Sequence, residues 1–227
     1  MPIFIDTCNI GEIKKFLQMG IVRGVTTNPS IILKENLSGG MAGVEKTARQ
    51  IAELIHPLPL SLEVMSNDPM EMVQQAEEFA AWSDNINIKI TVHGPNGETD
   101  NVSVIHELET KRNIRVNATA MMNAQQCFLI AMAGASYVSI FSGRVNDMGY
   151  DSREEIGKLR ELLDLYELKS QIIAASTREV YNVVDWLIAG AHIVTVVPKF
   201  IEKMIVHPYS KETVQMFLAD AAKIHGN

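Results

Sequence analysis

Ile86-Asn87-Ile88-Lys89-Ile90-Thr91 alternates apolar and polar residues without a break, the period of a β-strand. Its isoleucines share one face, and Asn87, Lys89 and Thr91 share the other. A lysine inside such a run is either a strand-end cation reaching solvent or an amine placed for chemistry. Other apolar runs favour the second reading, because they too carry polar residues near their C-terminal ends. Asp6 closes Ile3-Phe4-Ile5-Asp6, and Glu63 sits in Leu60-Ser61-Leu62-Glu63-Val64. Asn117 and Thr119 alternate with Val116, Ala118 and Ala120, and Ser176 closes Ile172-Ile173-Ala174-Ala175-Ser176. Polar groups at the carboxyl ends of many apolar strands imply one shared site.

Strand-like runs near residues 2–6, 22–26, 60–65, 86–91, 115–120, 137–142, 171–176 and 192–197 are separated by helix-period stretches. Among the latter are Asp68 to Trp82, Asn123 to Gly134, Ser152 to Tyr166 and Arg178 to Gly190. Eight β/α units in 227 residues with no composition break predict a single α/β domain, a closed (β/α)8 TIM barrel, with an open doubly wound sheet as the alternative. Residues 36–40 read as a polar loop before a helix. Thr26-Thr27-Asn28-Pro29-Ser30 reads as a turn and helix cap, with Pro29 near the first helical position. Beyond the eighth strand, Pro198 to Val206 and Ser210 to Ile224 predict two further helices. The C-terminal one, about 210–225, has Val214, Phe217, Leu218, Ala221 and Ala222 on one stripe, for packing on the barrel or on a neighbouring subunit.

A net charge of -7 and the lack of any Lys/Arg-rich run argue against nucleic acid as a partner. No apolar run approaches the roughly 18 residues of a membrane span. The N-terminal residues are not expected to act as a signal peptide. Two cysteines, Cys8 and Cys127, lack metal-ligand spacing and suit a reducing cytoplasm. The six histidines show no paired spacing, so no metal is expected. Gly-rich dinucleotide and P-loop patterns are absent. His93 falls in a loop, His93-Gly94-Pro95-Asn96-Gly97, and is expected to be solvated.

In a barrel of this kind the strand C-termini build the active site. A lysine flanked by isoleucines is expected to lose hydration, which lowers its pKa and supplies free amine for attack on a ketone. The resulting Schiff base, once protonated, is an electron sink, so the neighbouring carbon–carbon bond of a hydroxyketone breaks if a base takes the hydroxyl proton. Asp6 is the first choice for that base. Glu63 is the competing candidate, better suited with Thr119 to holding a water that shuttles protons. No diffusible cofactor is required. Arg144, in Phe141-Ser142-Gly143-Arg144, and Ser176-Thr177-Arg178 after the seventh strand offer guanidinium groups, a hydroxyl and helix N-terminal amides for a phosphate or sulfonate.

Several segments in this order resemble the transaldolase family, in its small single-domain branch: Ile3-Phe4-Ile5-Asp6-Thr7, Gly24-Val25-Thr26-Thr27-Asn28-Pro29-Ser30, Ile88-Lys89-Ile90, Asn117-Ala118-Thr119, Tyr137 to Arg144, Ile173-Ala174-Ala175-Ser176 and His207-Pro208. The resemblance spans nearly the whole chain. It implies a barrel with Lys89 as the Schiff-base lysine, Asp6 as the acid/base, and Glu63 with Thr119 around a catalytic water. It further implies Asn28 and Asn117 as hydroxyl ligands, Arg144, Ser176 and Arg178 at the anion site, and assembly into pentamers or decamers.

Glu63 and Phe141 stand where the family's fructose 6-phosphate aldolases show Gln and Tyr, which places the chain with true transaldolases. Thr91, the stretch from His93 to Asn101 and Asn146 depart from the family pattern, and are expected near the donor side of the pocket. One branch of the family acts on 6-deoxy-6-sulfofructose, and these departures associate the chain with it. The expected activity is transfer of a dihydroxyacetone unit from 6-deoxy-6-sulfofructose, fructose 6-phosphate or sedoheptulose 7-phosphate to glyceraldehyde 3-phosphate or erythrose 4-phosphate. The alternatives are an aldolase releasing free dihydroxyacetone and a catalytically silent sugar-phosphate binding protein.

Overall fold

The computed structural model describes residues 2–35 and 39–225. Its strands are β1 (Ile3–Asp6), β2 (Val25–Thr26), β3 (Leu60–Glu63), β4 (Ile86–Thr91), β5 (Val116–Met121), β6 (Tyr137–Ile140), β7 (Gln171–Ala174) and β8 (Ile193–Val196). All are parallel and pair in chain order. Pairing of Ile3 with Val194 and Ile5 with Val196 joins β8 back to β1, so the sheet is a closed barrel and not an open one.

Around it lie α1 (Ile10–Gln18), α2 (Pro29–Lys34), α3 (Gly40–Ile55), α4 (Pro69–Ala80), α5 (Asp100–Lys111), α6 (Ala124–Met132), α7 (Ser142–Asp147), α8 (Ser152–Leu165), α9 (Tyr181–Ile188), α10 (Pro198–Ile205) and α11 (Pro208–His225). Short polar residues start several of them by taking up orphan amide protons. Asn28 accepts from the Ile31 amide and Pro29 follows at the first helical position. Asp68 accepts from Met70 and Glu71 ahead of α4, again with Pro next.

The strand period sorts the core. Ile86, Ile88 and Ile90 face outward and are buried in the shell between sheet and helices. Inside, the amino end of the barrel is filled by Phe4, Ile173 and Ile193 with Tyr137 against them. Phe4 fits because Gly24 has no side chain: a Cβ there would lie 2.6 Å from the ring. Above this plug the interior turns polar, with Ser61, Asn117 and Ser139 almost wholly buried. Asn117 donates to Ser61 Oγ at 3.0 Å and accepts from Ser139 Oγ at 2.6 Å, which satisfies much of this polar layer internally.

Several boundaries differ from those the sequence suggests. β6 stops at Ile140, and Ser142 already belongs to α7. β7 stops at Ala174, and Ser176 turns into the left-handed region with φ 64°. α9 begins at Tyr181, so Arg178 lies in an irregular loop and Ser176-Thr177-Arg178 does not open a helix. In the expected loop at 36–40, residues 36–38 lie outside the described residues, and Gly40 already belongs to α3. The C-terminal helix does not pack across the barrel: Val214, Phe217 and Leu218 are 54%, 62% and 67% exposed. No described helix is long and apolar enough to cross a membrane.

The turn from β6 into α7 is pressed against the loop after β7. A Cβ on Gly143 would lie 1.7 Å from the Ser176 carbonyl oxygen, a backbone atom that cannot yield by a side-chain rotation. Gly143→Ala should therefore cost about 1–3 kcal/mol of unfolding free energy, as overpacking of a tight contact does. Urea unfolding of the variant checks this, and wild-type stability would contradict the close approach.

Candidate active site

The barrel register places the chemistry. Glu63 on β3 pairs with Lys89 on β4, and Lys89 with Asn117 on β5, so the three side chains stand on adjacent strands pointing inward. Lys89 Nζ donates to the Thr27 carbonyl at 2.8 Å and lies 3.0 Å from Glu63 Oε2, with only 7% of its side chain exposed. The isoleucine flank alone suggests an amine stripped of partners. The structure instead gives it two acceptors.

Asp6, at the end of β1, accepts from Thr26 Oγ1 at 2.6 Å. Burial pushes its carboxyl above the usual 3.8; the Thr26 hydroxyl and the Lys89 cation oppose this, Glu63 adds to it, and Lys34 opposes it. Thr119 is buried on β5, and its hydroxyl has no hydrogen-bond partner among the described residues. Neither its proton nor its lone pairs are committed to a partner among the described residues.

Asn28 spends its side-chain oxygen on the cap of α2, which leaves its amide protons free to donate. Arg144, on α7, lies 5.3 Å from the centroid of the Phe141 ring, which supports the guanidinium face-on. Arg178 Nε donates to Asp147 Oδ2 at 3.1 Å, a half-exposed pair that holds the side chain with little energy of its own. A cavity of about 580 Å³ is lined by Lys89, Asp6, Glu63, Thr119, Asn28, Asn117, Phe141, Arg144, Ser176 and Arg178 together. Every site residue singled out in the sequence thus opens on one space. Two of its lining residues, Ala120 (φ 62°) and Ser176, hold left-handed backbone without being glycine, the kind of strain that gathers at functional sites.

The cavity wall also contains residues not expected there from the sequence: Lys34 at the end of α2, Ser139 on β6 and Thr195 on β8. Thr195 carries the same signal as the others, a single polar residue in Ile193-Val194-Thr195-Val196. Two parts of the chain expected near the donor side do not reach the lining. No residue from Thr91 to Asn101 lines the cavity: Asn101 is buried and donates to the Thr91 carbonyl and hydroxyl, each at 3.0 Å, pinning that stretch behind the strand end. Asn146 does not line it either, and accepts from the Ser152 amide at 3.0 Å to tie α7 to α8. His93 is exposed, with its ring turned to the Gly94 carbonyl. Among the described residues no group of His, Cys, Asp and Glu is placed to hold a metal ion.

Residues 3–226 match the family model described as transaldolase/fructose-6-phosphate aldolase. A probable transaldolase of Carboxydothermus hydrogenoformans is 40% identical over 220 residues, 97% of each chain. Probable transaldolases of Exiguobacterium sp. and Oceanobacillus iheyensis are each 38% identical, with the alignments covering 97% of this chain and 97% and 98% of theirs.

The raised Asp6 carboxyl has a consequence for stability. A carboxyl whose folded pKa exceeds its unfolded value contributes stability that is full below 3.8 and is lost as pH rises through the folded value. Asp6→Asn removes that loss. The variant should be more stable than the wild type near neutrality, with the difference shrinking as pH falls toward 3.8. Chemical denaturation at a series of pH values measures this, and a difference that grows on acidification would refute it.

Proposed function

The chain belongs to the transaldolase/fructose-6-phosphate aldolase family, and on that premise we propose that it is a Schiff-base transaldolase in which Lys89 carries the dihydroxyacetone unit. The observation that carries this reading is the buried amine at the strand C-termini, 3.0 Å from a carboxylate and in the same cavity as Asp6. Before attack the ammonium must shed a proton, and Glu63 is the acceptor within reach. Nζ then adds to the C2 carbonyl of the ketose, and loss of water gives an iminium. Asp6 takes the proton of the C4 hydroxyl, the C3–C4 bond breaks, and its electron pair passes into the iminium to leave an enamine on Lys89. The aldehyde fragment departs. An incoming aldose is attacked by the enamine carbon, Asp6 returns its proton, and hydrolysis of the new iminium frees the product.

The unpartnered Thr119 hydroxyl and Glu63 are the groups for the water that leaves and re-enters. Asn28 and Asn117 hold substrate hydroxyls. Arg144, Ser176 and Arg178 hold the terminal anion, a phosphate or the sulfonate of 6-deoxy-6-sulfofructose, and Phe141 shapes the wall beneath. Because 91–101 lie outside the lining, discrimination between the two donors rests on the lining itself. The acceptor is glyceraldehyde 3-phosphate or erythrose 4-phosphate. We place the protein in the cytoplasm as a homo-oligomer, pentamer or decamer, with the exposed apolar residues of α11 as support for association.

Transfer from fructose 6-phosphate and from 6-deoxy-6-sulfofructose to erythrose 4-phosphate tests the reading. Lys89→Arg should fold and lose turnover by roughly a thousandfold or more, because a guanidinium stays protonated and cannot attack. Arg144→Ala and Arg178→Ala should lower kcat/KM for both anionic donors by about tenfold to a hundredfold, the loss of a charge-assisted contact, and leave the neutral donor fructose nearly unchanged. Equal losses on fructose would assign these arginines to the fold. Undiminished transfer by Lys89→Arg would exclude the mechanism, and no transfer by the wild type would favour a silent binding protein.

A further inference from the structure

β1 lies between β2 and β8, and both neighbours bring a threonine hydroxyl to its carboxyl end. Thr26 is the register partner of Asp6 and donates to its Oδ1 at 2.6 Å. Thr195 Oγ1 lies 2.5 Å from Thr26 Oγ1. The two threonines are 3% and 4% exposed, and both line the cavity. Thr195 is itself fixed from behind, since the Thr177 hydroxyl donates to its carbonyl at 2.7 Å.

A threonine hydroxyl has one proton to give. When Asp6 is a carboxylate it only accepts, so the Thr26 proton points at Oδ1 and Thr195 must donate to Thr26. The opposite direction would leave the Thr195 proton without an acceptor among the hydrogen bonds of the described residues. The chain of hydroxyls therefore runs one way, toward the carboxylate, and each bond polarises the next. This offsets part of the burial of Asp6 in the form that can accept a proton.

We propose that Thr195 is a positioning residue for Asp6: acting through Thr26, it fixes the direction of the hydrogen bond that holds the carboxylate ready as a base. The proposal rests on the reading of Asp6 as the acid/base. The charged groups facing Asp6 are Lys89 of β4, Glu63 of β3 and Lys34 of α2. None of them is altered by a change at Thr195.

The test is the pH dependence of kcat and KM for transfer from fructose 6-phosphate to erythrose 4-phosphate by wild type, Thr195→Val, Thr195→Ser and Asp6→Asn. Thr195→Val should move the acid limb of kcat to higher pH, because the carboxylate loses support. Within that limb kcat should fall on the order of tenfold, with KM changed by less than about twofold. Thr195→Ser, which keeps the hydroxyl, should restore the wild-type profile. A uniform fall in kcat with an unmoved limb, or a serine variant as impaired as the valine, overturns the proposal. The Asp6 reading survives that result if Asp6→Asn has lost the limb, and a limb that persists in Asp6→Asn overturns both.

Discussion

An ammonium group buried inside a barrel must be given acceptors, and Lys89 has the Thr27 carbonyl at 2.8 Å and Glu63 at 3.0 Å. Left unpaired at that depth, the charge would cost several kcal/mol. The pair therefore constrains three strands at once: β4 supplies the amine, β3 the carboxylate, and the turn after β2 the carbonyl. Below this layer lies the Phe4, Ile173 and Ile193 plug, so the cavity opens in one direction only. The proposed chemistry follows from this arrangement. A lysine with a carboxylate already in contact can lose its proton without bulk water, and a second carboxylate across the cavity can act on the substrate separately.

The two carboxylates occupy different surroundings, and that difference suits them to the separate roles proposed. Glu63 is in contact with the cation. Asp6 is held through a hydroxyl and its carboxyl is pushed above its usual range by burial, with Lys89 acting on it at longer reach. A group whose proton affinity is raised in this way is suited to taking a proton and returning it. Around them the wall is stiffened by tight backbone packing, seen where Gly143 meets the Ser176 carbonyl, and by left-handed Ala120 and Ser176. These contacts fix the part of the wall that carries Arg144 and Arg178, the arginines proposed to hold the anion.

Much of this was legible in the sequence because a strand displays its faces every second residue. Lys89, Asp6, Glu63, Asn117 and Thr119 all announce themselves as polar residues on the inward face of an apolar strand, and closure of eight such units brings them together. Thr195 gives the same signal but looks ordinary, since a threonine in a strand needs no explanation. Helix starts were less legible. Ser176-Thr177-Arg178 resembles a cap, yet the chain stays irregular to Tyr181 because it must clear Gly143 and bond to the Thr195 carbonyl. The stretch after β4 departs from the family pattern and is expected near the donor side of the pocket. Asn101 instead holds it behind Thr91, through hydrogen bonds that no local pattern encodes.

The other proposed roles depend on a covalent imine between Lys89 and a ketose. Incubation with fructose 6-phosphate and borohydride, followed by mass analysis of peptides, tests it directly. A reduced three-carbon adduct on the peptide containing Lys89, absent without donor, is the expected result. An adduct on another lysine, or none under conditions of active transfer, would exclude an imine on Lys89.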